Sequence, residues 1–329
     1  GSALTTGAQN TFLGAKTGDA STVGTRNTAL GYDALAVDTQ GSRNVAVGSN
    51  TLANQNFTSA TDSYNTGVGY GAGQEITTAT ENTLIGGLAG DALTTGSHNT
   101  YVGYHSGSVA TTAANNTGFG AYTLDANTSG HANVAVGKSA LGANTTGTYN
   151  TALGLNALDA NTTAANNNAF GYNCLSSNTT GEANSSFGST SLFTNTTGAS
   201  NTSVGKSSLA SNTTASNNTA IGKSSLGANT TGTRNTAVGS EAADAINTGQ
   251  DNTAIGALAL SADTKGNYST AIGRGALKTQ NFTSSTSAHN TAVGYSAGEL
   301  ITTGTDNTII GSLAGDAITD GNTNTTVGS

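Results

Sequence analysis

The chain has 329 residues, with 46 Gly, no Pro, Met or Trp, and a formal net charge of −8. Only 9% of the residues are charged, and the ten Lys and Arg form no basic stripe, which argues against a nucleic-acid partner. No apolar run reaches the length of a membrane-spanning helix, and the single cysteine, Cys174, excludes an intrachain disulfide and is expected to fill a core position.

A seventeen-residue repeat begins at Asn10 and continues to the end of the chain. Its pattern is N-T-A-V-G-x-x-A-L-x-x-N-T-T-G-x-x, present in eighteen complete copies and a nineteenth that begins at Asn324. Two copies, 44–64 and 269–289, have 21 residues and share an added Gln-Asn-Phe-Thr-Ser. We therefore expect residues 1–329 to form one continuous repeat array, cut from a longer fibre.

Each copy predicts one coil of an all-β solenoid, a β-roll of about eighteen coils. Asn occupies the first position in eighteen of nineteen copies, so we expect a ladder of stacked amides. Positions two to four predict a strand, with the second and the apolar fourth residue inward and the small third residue outward. The fifth position is Gly in all nineteen copies, which predicts a tight turn; among these glycines are Gly14, Gly31, Gly137, Gly222 and Gly311.

A second strand is expected near positions eight to twelve. Where the ninth residue is Leu, the twelfth is usually polar; where the ninth is Gly, as in Gly73, the twelfth is mostly Ile or Leu, as in Ile76. This exchange indicates that the two positions fill one core volume. Gly18 and Gly107 depart from the rule, and we expect Val23 and Val109 to compensate.

The predicted core is thin, which favours assembly of several chains. Ordering one residue costs on the order of 1–2 kcal/mol, whereas a buried Val or Leu returns about 1.5–3 kcal/mol. We expect a homotrimer, side by side or intertwined, in which small third residues such as Ala29, Ala135 and Ala220 face the neighbouring chains.

The repeat resembles the head repeats of YadA-like trimeric autotransporter adhesins, whose motif is close to N-S-V-A-I-G-x-x-A; residues 219–222 match its V-A-I-G. It is also similar to the N-T-A-V-G…A-L…N-T-T-G repeats of phage tail-fibre proteins. The resemblance covers essentially the whole chain and implies a left-handed trimeric β-roll that serves attachment. The coil of the adhesin heads is shorter than the seventeen residues found here.

Two sets of residues are candidate surface contacts. The sixth position carries a Tyr or a cation in half of the complete coils, a row that we name the Tyr/Lys stripe: Tyr32, Tyr70, Tyr104, Lys138, Tyr172, Lys206, Lys223, Arg274 and Tyr295. This stripe could contact a glycan or receptor, or it could be a solvated edge that deters aggregation. Phe57 and Phe282, in the added segments, either form exposed contacts or fold back onto a neighbouring coil.

Several apparent catalytic motifs are products of the repeat. The three Gly-Lys-Ser sequences lack the first Gly of a phosphate-binding loop, and no His follows Ser296 in the G-x-S-x-G stretch 294–298. The four His residues have no metal-ligand spacing. We therefore predict that the chain is not an enzyme and has no cofactor or metal site.

The first functional hypothesis is a structural and adhesive extracellular fibre segment, a bacterial adhesin head or shaft or a phage tail fibre. Its partners would be further copies of itself and a host-surface glycan or receptor. An ice-binding solenoid is an alternative, against which the expected inward Thr at the second position counts. A tailspike-like glycan-degrading solenoid would need paired carboxylates, for which Asp316 with Asp320 and Glu241 with Asp244 are the candidates.

Overall fold

The computed structural model describes all residues from 1 to 329, which form two compact units, Gly1–Ala165 and Asn166–Ser329. Each unit consists of parallel strands joined by turns, and neither contains a helix that could cross a membrane. Every coil contributes one three-residue strand, and the chain has 19 such strands. The prediction of an all-β, parallel solenoid with a seventeen-residue coil is therefore confirmed.

In the first unit, equivalent residues of successive coils pair in register, so that Thr11 lies opposite Thr28. The short strands β3 and β5 of this unit pair with each other beside the long coil. The strands are β1 (Thr11–Leu13), β2 (Thr28–Leu30), β3 (Gly41–Ser42), β4 (Val45–Val47), β5 (Thr61–Asp62), β6 (Thr66–Val68), β7 (Thr83–Ile85), β8 (Thr100–Val102), β9 (Thr117–Phe119), β10 (Val134–Val136) and β11 (Thr151–Leu153).

The second unit repeats this arrangement, with Thr219 opposite Thr236 and the short strands β18 and β20 paired beside its long coil. Its strands are β12 (Asn168–Phe170), β13 (Ser185–Phe187), β14 (Thr202–Val204), β15 (Thr219–Ile221), β16 (Thr236–Val238), β17 (Thr253–Ile255), β18 (Gly266–Asn267), β19 (Thr270–Ile272), β20 (Thr286–Ser287), β21 (Thr291–Val293), β22 (Thr308–Ile310) and β23 (Thr325–Val327).

The strands present the opposite face to the core from the one predicted. The third residue points inward, and Ala29, Ala135 and Ala220 are each 0% exposed. The second and fourth residues lie on the outer face, where Ile221 is 40% exposed. The prediction that the third residue faces neighbouring chains is therefore wrong, because the third side chain lies in the core of the coil, where a large residue such as Tyr101 is accommodated only opposite a ninth-position Gly.

Positions eight to twelve form a turn instead of the predicted second strand. The residues at positions seven and nine have positive φ in every complete coil, as at Ser224 (55°) and Leu226 (49°). These left-handed conformations reverse the chain direction, and they turn the ninth side chain into the core, where Leu226 is fully buried. Hydrogen bonds between coils replace a strand ladder, for example from Leu226 N to Ala242 O at 3.0 Å.

The glycine at position five confirms the predicted turn. Gly222 has φ of 135°, and a Cβ there would lie 2.3 Å from the carbonyl oxygen of Gly239 in the next coil. Gly14, Gly31, Gly137 and Gly311 share this conformation, with φ between 117° and 137°. A side chain is excluded twice at this position, by the backbone conformation and by the close approach of the neighbouring coil.

The predicted amide ladder is present at the first position. Asn133 Oδ1 accepts the backbone N–H of Asn150 at 3.0 Å, and Asn133 Nδ2 donates to Asn116 Oδ1 at 3.2 Å. A second ladder, which the sequence analysis missed, runs through the twelfth position, where Asn144 Nδ2 donates to Asn127 Oδ1 at 3.1 Å. Within each ladder the buried amides satisfy one another, as buried polar groups usually do. The exception is Asn229 Oδ1 at the end of the second ladder, which has no donor because the next twelfth residue is Ile246.

The glycines at position nine make room for core side chains. A Cβ at Gly73 would lie 2.6 Å from Leu84 Cδ1 and 3.1 Å from Ile76 Cδ1, so positions nine and twelve do share one volume. At Gly107 the space is filled by the ring of Tyr101, a third-position residue. Val109 is 42% exposed, so the expected compensation by this valine is wrong.

Phe12 plays the role of Tyr101 in the first coil. A Cβ at Gly18 would lie 2.6 Å from Phe12 Cζ, so this third-position ring occupies the space that Val23 was expected to fill. Cys174 is a fully buried core residue, as predicted, and its Sγ lies 3.2 Å from the carbonyl oxygen of Ser186.

The first long coil is held by an aspartate from the coil before it. Asp38 Oδ1 accepts the backbone N–H groups of Gly41 at 3.0 Å and Phe57 at 3.1 Å, and Asp38 Oδ2 accepts Gln55 Nε2 at 2.6 Å. Gln55 Oε1 in turn accepts Asn65 Nδ2 at 2.9 Å. We name this chain of hydrogen bonds from Asp38 through Gln55 to Asn65 the relay. It fixes the orientation of the Gln55 amide, because Nε2 donates to Asp38 and Oε1 accepts from Asn65.

The second long coil has the same relay. Asp263 accepts the backbone N–H groups of Gly266 at 3.0 Å and Phe282 at 3.2 Å and the side chain of Gln280 at 2.7 Å. Gln280 Oε1 accepts Asn290 Nδ2 at 2.8 Å. The added segments are therefore anchored identically in the two units.

We expect Gly86→Ala to lower the free energy of unfolding by about 2–5 kcal/mol, since strained backbone and overpacking each cost on the order of 1–3 kcal/mol. Gly86 has φ of 134°, and its Cβ would lie 2.5 Å from Gly103 O. Gly87→Ala is the control, because its Cβ would lie 3.5 Å from the nearest side-chain atom. Denaturant titration checks both variants, and equal losses would contradict the role given to position five.

Candidate functional site

The largest candidate contact surface is the outer face of the sheet in each unit, which we name the sheet face. It consists of two rows of side chains, the second and fourth residues of each coil. The second residue is Thr in 15 of 19 coils, and the fourth is always Leu, Val, Ile or Phe. Neither row contains a charged residue.

The fourth residues of the coils form the apolar row of the sheet face, and this row is substantially exposed in both units. Phe119 in the first unit is 57% exposed, and Ile310 in the second is 42% exposed. In the first unit the row is Leu13, Leu30, Val47, Val68, Ile85, Val102, Phe119, Val136 and Leu153; in the second it is Phe170, Phe187, Val204, Ile221, Val238, Ile255, Ile272, Val293, Ile310 and Val327. Because the coils pair in register, neighbouring side chains in each row are about 4.8 Å apart.

The Tyr/Lys stripe is exposed at each of its members, as a contact surface requires: Tyr32, Tyr70, Tyr104, Lys138, Tyr172, Lys206, Lys223, Arg274 and Tyr295. Some members contact their neighbours, since Lys223 Nζ lies 3.3 Å from Glu241 Oε1 and the Arg274 guanidinium lies 5.9 Å from the Tyr295 ring centre. The stripe is thus an exposed row in which Arg274 contacts the next member, Tyr295.

Phe57 and Phe282 do not belong to the candidate contact surface. Phe57 is 6% exposed and Phe282 is 5% exposed, because the added segments fold back over the coil. The backbone N–H groups of both residues are held by the buried aspartates described above. Their interpretation as surface contacts is therefore wrong, and their role is to close the core beneath the added segments.

A groove of about 440 Å³ lies in the first unit between the seventh and tenth positions of three successive coils. Tyr122 and Ser139 form one side, Asp125 and Asp159 lie on the other, and Gly142 lies between the two carboxylates. A Cβ at Gly142 would lie 2.6 Å from Asp159 Oδ1, so the absence of a side chain there leaves room for the Asp159 carboxylate.

A smaller groove of about 270 Å³ occupies the same place in earlier coils of this unit. It is lined by Asp33, Asn50 and Gln74 together with small residues such as Ala53, and it contains no aromatic ring. The two grooves therefore occupy equivalent places in the coil, and each contains a small tenth residue, Gly142 in the larger groove and Ala53 in the smaller one.

Burial affects several tenth-position carboxylates. Desolvation raises the pKa of Asp91, Asp159 and Asp244 above the usual value of aspartate. One carboxylate oxygen of Asp91 and one of Asp244 are buried without any hydrogen-bond donor. Their burial in the folded protein therefore opposes ionisation of these carboxyl groups.

No protein-family model, curated protein or solved structure matches the chain. No group of three or more His, Cys, Asp or Glu side chains is placed to hold a metal ion.

The sequence analysis missed both the sheet face and the groove. The sheet face was hidden because the strand alternation shows which residues share a face but not which face is buried. The groove was hidden because its residues belong to three successive coils. Tyr122, Ser139 and Asp159 line one groove only because the left-handed turn places the seventh and tenth residues side by side. A signal was present in the sequence: the third residue is large, as in Tyr101, only where the ninth is Gly.

We expect Asp91→Asn to raise the melting temperature at pH 7, because the amide removes a desolvated charge while keeping the shape. The pKa of Asp91 is raised in the folded state, so its ionisation opposes folding as the pH rises. Below the ordinary aspartate pKa of about 3.9, both states are protonated, and the advantage of the variant should disappear. Calorimetry at both pH values checks this, and an advantage independent of pH would contradict it.

Proposed function

We propose that the chain is a segment of an extracellular attachment fibre that assembles as a homotrimer through the sheet face. The observation that carries this proposal is the uncharged sheet face, with a Leu, Val, Ile or Phe side chain in every coil. Soluble monomers rarely expose contiguous apolar patches larger than a few hundred Å². A face of this kind is typical of a surface that is covered in the assembled protein.

A second copy of the chain is the occupant that best fits the sheet face. The face is regular, with equivalent residues in each coil. The same face on a second copy therefore has rows of Thr and of apolar side chains with the same spacing. It carries no charge that would call for a complementary partner, in contrast to the charged Tyr/Lys stripe beside it. Three copies that turn this face towards a common axis form a closed ring, and closed symmetry is what most homo-oligomers adopt.

The resemblance to trimeric adhesin heads and phage tail fibres supports three copies and an attachment role. In such an assembly the sheet faces lie against one another, and the Tyr/Lys stripe remains open to a host-surface glycan or receptor. The exposed Asp316 and Asp320 are placed like ordinary surface acids, and we propose no catalytic role for them.

We expect the protein to have a molar mass near three times 32.1 kDa by light scattering after size exclusion. The double variant Ile221→Glu, Ile255→Glu should be monomeric, because two carboxylates would be buried without partners in the apolar interface. Lys206→Glu, which introduces the same charge on the stripe, is the control and should remain trimeric. A wild-type mass of one chain would refute the trimer.

Ice binding is a second candidate, favoured by the outward position of the second-residue threonines. Thr219, Thr236 and Thr253 lie in register on the sheet face. Their hydroxyl and methyl groups form a regular array beside the apolar row. This arrangement removes the argument that these threonines are inward. A trimer would cover the same face, so the two functions exclude each other.

For an ice-binding protein we expect thermal hysteresis from a monomer, and its loss when Thr219, Thr236 and Thr253 are replaced by Lys. Replacement of the off-face residues Ser189 and Ser240 by Lys is the control. Since we propose the trimer, the expected result for the wild-type protein is ordinary freezing. Hysteresis from a trimer, or hysteresis unaffected by the Thr variants, would show that the sheet face is not the ice-binding surface.

A further inference from the structure

The 440 Å³ groove combines three features that no other part of the surface brings together. Gly142 leaves room for the Asp159 carboxylate, the Tyr122 ring lines the groove, and a second half-buried carboxylate, Asp125, lies in the lining. Asp125 and Asp159 belong to coils two apart, so their Cα atoms are separated by about 9.6 Å along the stack. The groove is therefore open over the width of three coils.

The aromatic wall is a packed cluster. The rings of Tyr104 and Tyr122 meet edge to face with centres 5.6 Å apart, and the His105 ring stacks on Tyr122 at 5.8 Å with 24° between the planes. These contacts hold Tyr122 in place at the rim, and the ring is still 38% exposed. A fixed, partly exposed ring offers an apolar surface at little entropic cost on binding.

The two carboxylates differ in how well they are satisfied. Asp125 Oδ1 accepts a hydrogen bond from Ser108 Oγ at 2.5 Å and lies 4.0 Å from His105 Nδ1. The Asp159 carboxylate has no hydrogen bond and no ion pair, although burial raises its pKa. A partly exposed carboxylate without a protein partner, at the edge of a groove, is free to pair with a ligand that brings a positive charge or a hydrogen-bond donor.

We propose that the groove binds an amino-sugar residue with a free ammonium group, as part of a surface polysaccharide. The ammonium group pairs with Asp159, the apolar face of the sugar ring stacks on Tyr122, and the ring hydroxyls reach Ser139 and Asp125. This proposal names the ligand class of the attachment function and so rests on the proposed function.

The chemistry of the groove favours this class over other sugars. Two carboxylates repel uronic and sialic acids, and a neutral sugar leaves the Asp159 charge unpaired. The ammonium group meets the Asp159 carboxylate, and the sugar ring spans from there towards the Tyr122 ring. The smaller groove has the carboxylate of Asp33 but no aromatic ring, so it lacks one of the two required contacts.

Calorimetric titration with an oligomer of glucosamine tests the proposal on the full chain. The comparison probes are the matching oligomer of N-acetylglucosamine, which lacks the charge, and a tetralysine peptide, which has charge without a sugar ring. The expected order of affinity is the glucosamine oligomer first, with either comparison probe at least about tenfold weaker, as expected for loss of a charged hydrogen bond.

Two variants and two matched controls locate the site. Asp159→Asn and Gly142→Ala should each weaken binding of the glucosamine oligomer about tenfold or more. The first variant removes the charge, and the second displaces the Asp159 carboxylate, whose Oδ1 lies 2.6 Å from the position of the new Cβ. Asp316→Asn and Gly227→Ala change the same residue types at the tenth position of coils outside the groove, and should leave the affinity unchanged.

Other results overturn the proposal. They are no binding of the glucosamine oligomer, equal binding of tetralysine, or full affinity in the Asp159 and Gly142 variants. Light scattering on the same samples separates this failure from that of the proposed function. A trimer that does not bind the sugar refutes the groove alone, whereas a monomer refutes the assembly.

Discussion

The close contact between the fifth-position glycine of one coil and that of the next is the constraint on which the rest of the structure depends. At Gly222 the carbonyl oxygen of Gly239 occupies the space of a side chain, and this contact recurs along each unit. It keeps successive coils in register, so each of the remaining positions of the repeat forms a row of equivalent residues. The strand pairing, the amide ladders and the sheet face all follow from that register.

Holding the register requires unfavourable backbone conformations that the stacking must offset. Residues such as Ser224 and Leu226 are left-handed in their coil, at a cost of roughly 1–2 kcal/mol for each residue other than glycine. The hydrogen bonds between coils are the compensation, because each turn residue donates to or accepts from its neighbour. A single coil has no such partner, which explains why the repeat is stable only as a stack.

Much of the fold could be predicted from the sequence, because the repeat makes internal comparison possible. Invariant Gly and Asn indicated the turn and the ladder, and the exchange between positions nine and twelve indicated a shared core volume. The inward face of the strand could not be read from alternation alone. The pairing of the large Tyr101 with Gly107 carried that information, since only residues in the same core compete for space.

The candidate sites were less predictable than the fold, and the reason is geometric. The Tyr/Lys stripe runs along a single position of the repeat and could be seen directly. The groove joins the seventh position of one coil to the tenth positions of others, so its residues are scattered in the sequence. The second and fourth residues were predicted to lie in the core, but they lie on the surface. They therefore form a candidate contact surface that the sequence did not indicate.

The relay beneath the added segments has a consequence for how such a chain can evolve. Asp38 lies in the coil before the one that carries Gln55 and Phe57, and Asp263 stands in the same relation to Gln280 and Phe282. A recombination breakpoint between these two coils would leave a buried glutamine without its acceptor. The added segment can therefore be duplicated only together with the coil before it. The two copies of this two-coil unit in the chain lie 225 residues apart.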